Sequence, residues 1–365
     1  MKVKLRKSWS GRRGPSVVAV CATLGLVAAC SSSGSKPAAQ TPAPSQPAAA
    51  TSAMASPAAG GGTFTPPKLS GQTIRISEGS APQVEDTRLY LMSQILQSWG
   101  AKSSLVNQTG DPAAVRVVLA GDAEIGSIAV TGVINSGLLT IGPSQPRLDY
   151  HFMGAPSLKS ISDLPGHTYG TSNTHGVEAL MFADLLAKNN IKASDVKVTV
   201  AGGASVRVAA MLTHRLDATF VHIGDVPKLK AAGFNDLATM STVAPELADS
   251  VLAADPKWVN AHPDLALAAD EAWLKAADIF NNDKAQWVAA AVKYAGGTAA
   301  DATAVFDNFT QSNAFPDAKS AFTSAGADAQ EKLAFQVGAI TQQPPISQWL
   351  TEQYWDQATQ ALGVS

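Results

Sequence analysis

The order strand, helix, strand, helix, strand occurs twice in this chain, and that repetition limits the folds open to it more than any single motif does. In the first copy "QTIRISEG" alternates as a strand, with Ile74 and Ile76 on one face. Leu89, Met92, Ile95, Leu96 and Trp99 then recur at helical spacing, with Asp86 placed as N-cap and Gly100 as stop. "SSLVNQ" reads as a second strand, "DPAAVRVVLAGD" as a short helix with Pro112 in its first turn, and "AEIGSIAV" as a third strand. The second copy runs "DLPGHTYGTS", "GVEALMFADLLAKNN", "VKVTVAGG", "ASVRVAAMLTHR" and "LDATFVHI". Detail recurs too: Val115, Gly121 and Asp122 precede the last strand of one copy as Val208, His214 and Asp217 precede that of the other. Strands alternating with helices pair in parallel through right-handed crossovers. Two such units in tandem predict two α/β lobes with a cleft between them.

Downstream, "SVLAADPKWV" reads as a strand returning to the first lobe, and the remainder is mostly helical. Leu265, Ala269, Trp273, Ala276, Ala277 and Phe280 share one helix face, which reads as a packing stripe rather than a cofactor box. From Leu69 to Ser365 there are nearly 300 residues, enough for two lobes.

The N-terminal segment has a different composition. "MKVKLRKSWSGRRG" carries six Lys/Arg and no acid, and the apolar run after it is too short to span a bilayer comfortably. These are the parts of a secretory signal. Val27-Ala28-Ala29-Cys30 resembles the bacterial lipobox, which implies cleavage before Cys30 and lipidation of its sulfur. The following stretch of Ser, Pro, Ala, Gly and Thr has almost nothing to bury and is expected to be a tether. The expected division is therefore a leader at 1–29, a tether at 30–69, a first lobe at 70–156, a second at 157–251, and a return to the first at 252–365. Hinge crossings are expected at Ala155–Ser160 and Val251–Pro256.

The two cysteines, Cys21 and Cys30, both lie in this N-terminal part. A folded body without cysteine has no disulfide framework, thiol nucleophile or thiolate metal site. Without the leader the chain has 21 basic and 29 acidic residues, a net charge of −8, and no basic cluster follows residue 70. That argues against a nucleic-acid partner.

"ISDLPGHTYGTSNTHGVEALMFADLLAKNNIKASDVKVTVAGGASVRVAAMLTHRLDATFVH" resembles the middle of ATP-binding-cassette solute-binding proteins, in the branch that includes nitrate, sulfonate, taurine and thiamine-precursor receptors. The matching features are "DLPG" before a strand, a small-residue turn opening a helix, "SDV" before a strand and "LDA" after a helix. The later "VNAHPDLALAADEAWLKAADIFNND" resembles the same branch, and the likeness extends over residues 71 to 365. It implies the type II periplasmic-binding fold, in which each lobe is a mostly parallel sheet flanked by helices, with the C-terminal helices packed on the first lobe. It also implies a monomeric, lipid-anchored extracytoplasmic receptor that passes a small polar organic molecule or anion to a membrane permease, without cofactor, metal or catalysis. One departure is plain. "SEGSAPQVEDTRLYL" puts Glu78, Glu85 and Asp86 where the family's first loop is usually apolar, so an anionic ligand would face acids unless they point away.

In such a fold ligands sit at strand carboxyl ends and helix N-termini. Ser172, Asn173, Thr174 and His175 lie at one such junction, as a cradle for a carboxylate, sulfonate or carbonyl oxygen; a helix N-cap is the plainer role for Ser172 or Thr174. Ser77, Glu78 and Gly79 end the first strand, Asn107 and Thr109 the second, and Val130 and Thr131 follow the third. In the second lobe Gly203 and the pair His222 and Asp225 hold matching positions. The histidines are scattered and no H-E-x-x-H spacing occurs, so an enzyme is not expected. Few aromatics fall at these loops (Tyr150, Phe152 and Phe220 are nearest), which disfavours an aromatic-box cation site. The alternatives are a sensor or scavenging enzyme on the same fold, or a structural surface lipoprotein whose cleft is filled by side chains.

Overall fold

Among the described residues, ten strands form two five-stranded sheets of the same design. The computed structural model describes residues 64–364 apart from 173, 175 and 322, all within one compact unit. The leader, Cys30 and most of the tether lie outside the described residues.

The first sheet contains β1 (Thr73–Glu78), β2 (Lys102–Asn107), β3 (Ile125–Ile128), β4 (Leu139–Gln145) and β10 (Ser250–Ala254). The second contains β5 (Tyr150–Gly154), β6 (Thr168–Thr171), β7 (Lys197–Val200), β8 (Ala218–His222) and β9 (Asn235–Thr239). Their orders are β2-β1-β3-β10-β4 and β7-β6-β8-β5-β9. In each, three parallel strands are followed by two joined antiparallel, β10 in one sheet and β5 in the other lying next to the edge. β10 and β5 are therefore equivalent positions, each filled by a strand that enters from the opposite lobe.

The helices follow the duplicated pattern. α1 (Thr87–Ser98) and α2 (Asp111–Leu119) connect the first lobe's parallel strands, and α3 (Val130–Ser136) follows β3. α4 (Val177–Lys188) and α5 (Ala204–Leu212) do the same work in the second lobe. α2 and α5 end alike, in left-handed residues Gly121 (φ 74°) and His214 (φ 54°). In each case the next amide bonds back five residues, Asp122 to Val117 and Arg215 to Ala210, which satisfies carbonyls that the helix end leaves open. The acid that aligns with Asp217 is Glu124 rather than Asp122. Glu124 accepts the Arg75 amide at 2.7 Å, and Asp217 accepts the Thr168 amide at 2.8 Å, each tying a strand start to its neighbour.

The chain crosses between sheets at 146–149 and 240–249, earlier than expected in both places. Residues 155–160 lie beyond β5 in the second lobe, and Val251 to Ala254 are inside β10. The displacement comes from β4, a strand not assigned from the sequence, which contains Gly142 and Pro143. Proline is tolerated there because β4 is an edge strand, and the register with β10 shifts on both sides of the Val251–Leu252 pair. Glycine is required there because a Cβ at Gly142 would overlap the Asp270 carboxyl. The crossings run side by side, with the Asp249 amide donating to Gln145 O at 3.0 Å.

The stripe on helix Pro263–Asn282 is buried along its length against α1 and β4, so the C-terminal helices extend the first lobe's core. Helix Ser324–Gln336 touches both lobes. Ala334 packs with Leu180 of α4, and Gln330 brackets the return crossing, accepting from the Ala248 amide (3.1 Å) and donating to its carbonyl (2.9 Å). The second lobe is centred on aromatic rings, with Tyr169 stacked on Phe182 at 3.9 Å and Phe152 against Phe220 at 4.9 Å. None of the helices among the described residues is long and apolar enough to cross a membrane.

Candidate ligand-binding cleft

A cavity of about 150 Å³ lies where the two sheets face each other. The first lobe supplies Glu78 from the end of β1, Glu85 and Asp86 from the turn before α1, and Asp111 from the first position of α2. Asp149 from one crossing and Asp249 from the other complete a set of six carboxylates. These last two immediately precede β5 and β10, the equivalent strands, so the duplication itself brings them to the middle of the cleft. Tyr150 and His222, paired across β5 and β8 with rings 4.3 Å apart, form part of the second lobe's wall. Arg88 lies against the first lobe's side, its guanidinium 3.4 Å from the centre of the Phe315 ring and 4.4 Å from that of Trp273.

The acids repel one another and are poorly hydrated. Burial, then the nearby Asp86, pushes the Glu78 carboxyl well above its usual range. Burial raises Asp86 to about 7, although the Ser80 hydroxyl donates to it at 2.7 Å. Asp86 occupies the N-cap position of α1, yet its side chain bonds Ser80 instead of capping the helix. Glu85 and Asp249 are raised by burial first and by Asp149 further.

His222 goes the other way. Burial works to lower it, but Asp149 at 3.0 Å, with Glu85 and Asp249, outweighs burial and raises the imidazole to about 10. A carboxylate only accepts, so Nδ1 carries the proton. A folded pKa above the ordinary 6.5 means that the pair stabilises fully below pH 6.5 and loses its contribution between 6.5 and about 10. Urea midpoints of the wild type are thus expected to fall more steeply from pH 7 to pH 10 than those of His222→Gln. Parallel slopes would show that the imidazole is not held charged.

Outside the cavity a larger and more apolar groove of about 660 Å³ opens between the lobes, sharing Asp111 with it. Pro112, Val115 and Thr131 form one side, and Ser172, Thr174 and Val200 the other.

Of the residues expected from sequence, the cavity brings together Glu78, Gly79 and His222, and the groove Thr131, Ser172 and Thr174. Asn173 and His175 lie outside the described residues. Ser172 gives both its amide (2.7 Å) and hydroxyl (2.8 Å) to Glu178, so it serves the lobe's interior; Gly176, not Ser172 or Thr174, is the N-cap of α4. Ser77 is wholly buried, and Val130 is buried at the start of α3. The Asn107 amide donates to Ser80 O and the Tyr294 hydroxyl. Thr109, Gly203 and Asp225 line neither space. All three acids of the first loop line the cavity. Asp111, Asp149 and Asp249 were missed. Asp111 had a signal, an acid just before proline at a helix start, whereas Asp149 and Asp249 are recognisable only once β5 and β10 are seen to be equivalent.

A family model described as NMT1/THI5 like matches residues 100–286, just over half of the chain. The chain belongs to the NMT1/THI5-like family. Within this NMT1/THI5-like chain the match takes in the whole second lobe, Asp111 and both crossings, and leaves out Glu78, Glu85 and Asp86. No curated protein matches the sequence. Solved structures do. The ligand-binding component of an ABC-type import system from Staphylococcus aureus, with zinc bound, has a TM-score of 0.65 at 15% identity over 79% of this chain and 99% of its own. The periplasmic aliphatic sulphonate-binding protein of Escherichia coli gives 0.63 at 17% over 79% and 100%. The periplasmic nitrate-binding protein of Synechocystis PCC 6803 gives 0.64 at 11% over 82% and 90%. At such identities the likeness shows the fold, the two-lobed type II periplasmic-binding one.

Proposed function

We propose that this chain is the solute-capturing receptor of an ABC importer, held outside the cytoplasmic membrane by a lipid on Cys30, that takes a small polar molecule into the interlobe cavity and presents it to a permease. The observation that carries this reading is the cavity itself, lined from both lobes at strand ends and next to both crossings. A solute there touches both lobes at once, which is what lets binding energy favour a closed arrangement over an open one. The fold shared with import-system binding components, and the leader, lipobox and tether ahead of the body, support it. Binding rather than turnover is the reading that the likeness to import-system binding components supports.

The test is a broad thermal-shift screen of small polar solutes on the full chain, followed by calorimetry. One class is expected to raise the midpoint and bind saturably at one per chain, recovered unchanged. A blank screen, or conversion of the bound solute, would remove the reading.

A further inference from the structure

On the receptor reading above, on which this rests, we propose that the captured solute is a small organic cation, held by charge and hydrogen bonds from carboxylates of both lobes. Three observations carry it.

The first is the balance of charge. Among the described residues, six carboxylates border the cavity against two cationic side chains, Arg88 and His222. The His222 charge is matched by Asp149. The three Arg88 nitrogens are buried without a hydrogen-bond partner among the described residues, and the guanidinium lies on aromatic faces instead. An anion receptor would also use helix N-termini as donors. Here α1 and α2 carry Asp86 and Asp111 at or beside their N-termini, so an anion approaching those positive poles also meets a carboxyl.

The second is a missing partner. Glu85 is only 9% exposed and lines the cavity, and among the described residues the one donor to its carboxylate is its own backbone amide. Buried polar groups are nearly always paired, and an ionised carboxylate held out of water without a donor is among the costliest things a fold can keep. One amide leaves most of the carboxylate's acceptor capacity unused, and an ammonium, amidinium or guanidinium N–H supplies both hydrogen bond and charge.

The third separates an organic cation from a metal ion. The six acids come from five chain segments and surround the void rather than converge. No group of three or more His, Cys, Asp or Glu among the described residues could hold a metal ion. A cation with donors spread over several ångströms fits that arrangement. On binding it would replace the protons that burial and mutual repulsion keep on Glu78 and Asp86.

The test is calorimetry on the full chain at pH 8 with five probes: putrescine, agmatine, methanesulfonate, nitrate and zinc chloride. Putrescine or agmatine is expected to bind at one per chain, and the two anions not at all. Glu85→Gln is expected to weaken the cation at least tenfold while leaving the unfolding midpoint of the unliganded protein equal or higher, because it removes a desolvated charge. Asp249→Asn, from the other wall segment, is expected to weaken it likewise. One-to-one binding of nitrate or methanesulfonate, or zinc binding that Glu85→Gln abolishes, would overturn the cation assignment and leave the receptor intact. So would cation binding that neither substitution alters. If no probe binds, the assignment is overturned, and the receptor reading falls with it only when the broad solute screen is blank as well.

Discussion

Glu178→Ala is expected to lower the stability of the described body by about 3–5 kcal/mol, the cost of stranding one member of a buried ion pair. Arg207 is 1% exposed and Glu178 6%, and the two are joined side chain to side chain. Arg207 Nε also donates to Thr219 Oγ1 (3.0 Å) and Nη1 to Gly202 O (2.7 Å), while Glu178 accepts from the Thr171 hydroxyl and from both Ser172 donors. Deleting the carboxylate leaves a guanidinium in a dry core and frees the turn that leads into α4. At roughly 2–4 °C per kcal/mol the unfolding midpoint should fall by about 10 °C. Replacing both partners by methionine should cost less than the single change, because no uncompensated charge remains. A single-variant loss under about 1 kcal/mol in urea titration would mean that the pair is hydrated and not the pillar of the second lobe.

Trp273→Ala should do comparable damage in the first lobe, about 3–5 kcal/mol. The ring is buried at 1% exposure, meets Trp355 edge-on at 5.3 Å, and lies 4.4 Å from the Arg88 guanidinium. Its N–H donates to Ser144 O at 3.0 Å. Ser144 lines the cavity, and its hydroxyl bonds Ser127, whose own reaches Ser250 on β10. Removing the indole therefore opens a void and loosens the first lobe's side of the ligand site together. Solute affinity should fall with stability. Unchanged affinity in a variant destabilised by this amount would show that the wall is held by β4 and β10 alone.

Much of the fold was legible because periodicity is a local property. The alternation through Ile74 and Ile76 and the stripe from Leu265 to Phe280 each predict an element without reference to the rest of the chain. β4 was hidden because Gly142 and Pro143 answer to a distant carboxyl and a sheet edge. The crossings were displaced for the same reason, since an unread β4 makes β5 look like part of the first lobe. In the site, Glu78 and His222 were found because they end strands. Ser172 reads from sequence as a ligand donor, yet its amide and hydroxyl both donate to Glu178, a residue that sequence alone places on an ordinary helix turn. Asp149 and Asp249 belong to no motif. They meet because two equivalent strands begin beside them, and that relation exists only after folding.

The most direct test of the account is a crystal structure of the full chain with the tightest solute from the screen. The account predicts that solute in the space between the sheets, touching Glu85 or Asp86 on one side and Asp149 or His222 on the other. Density for it on an outer face, or against a single lobe with the cavity left to water, would contradict the claim that two matched halves share one guest.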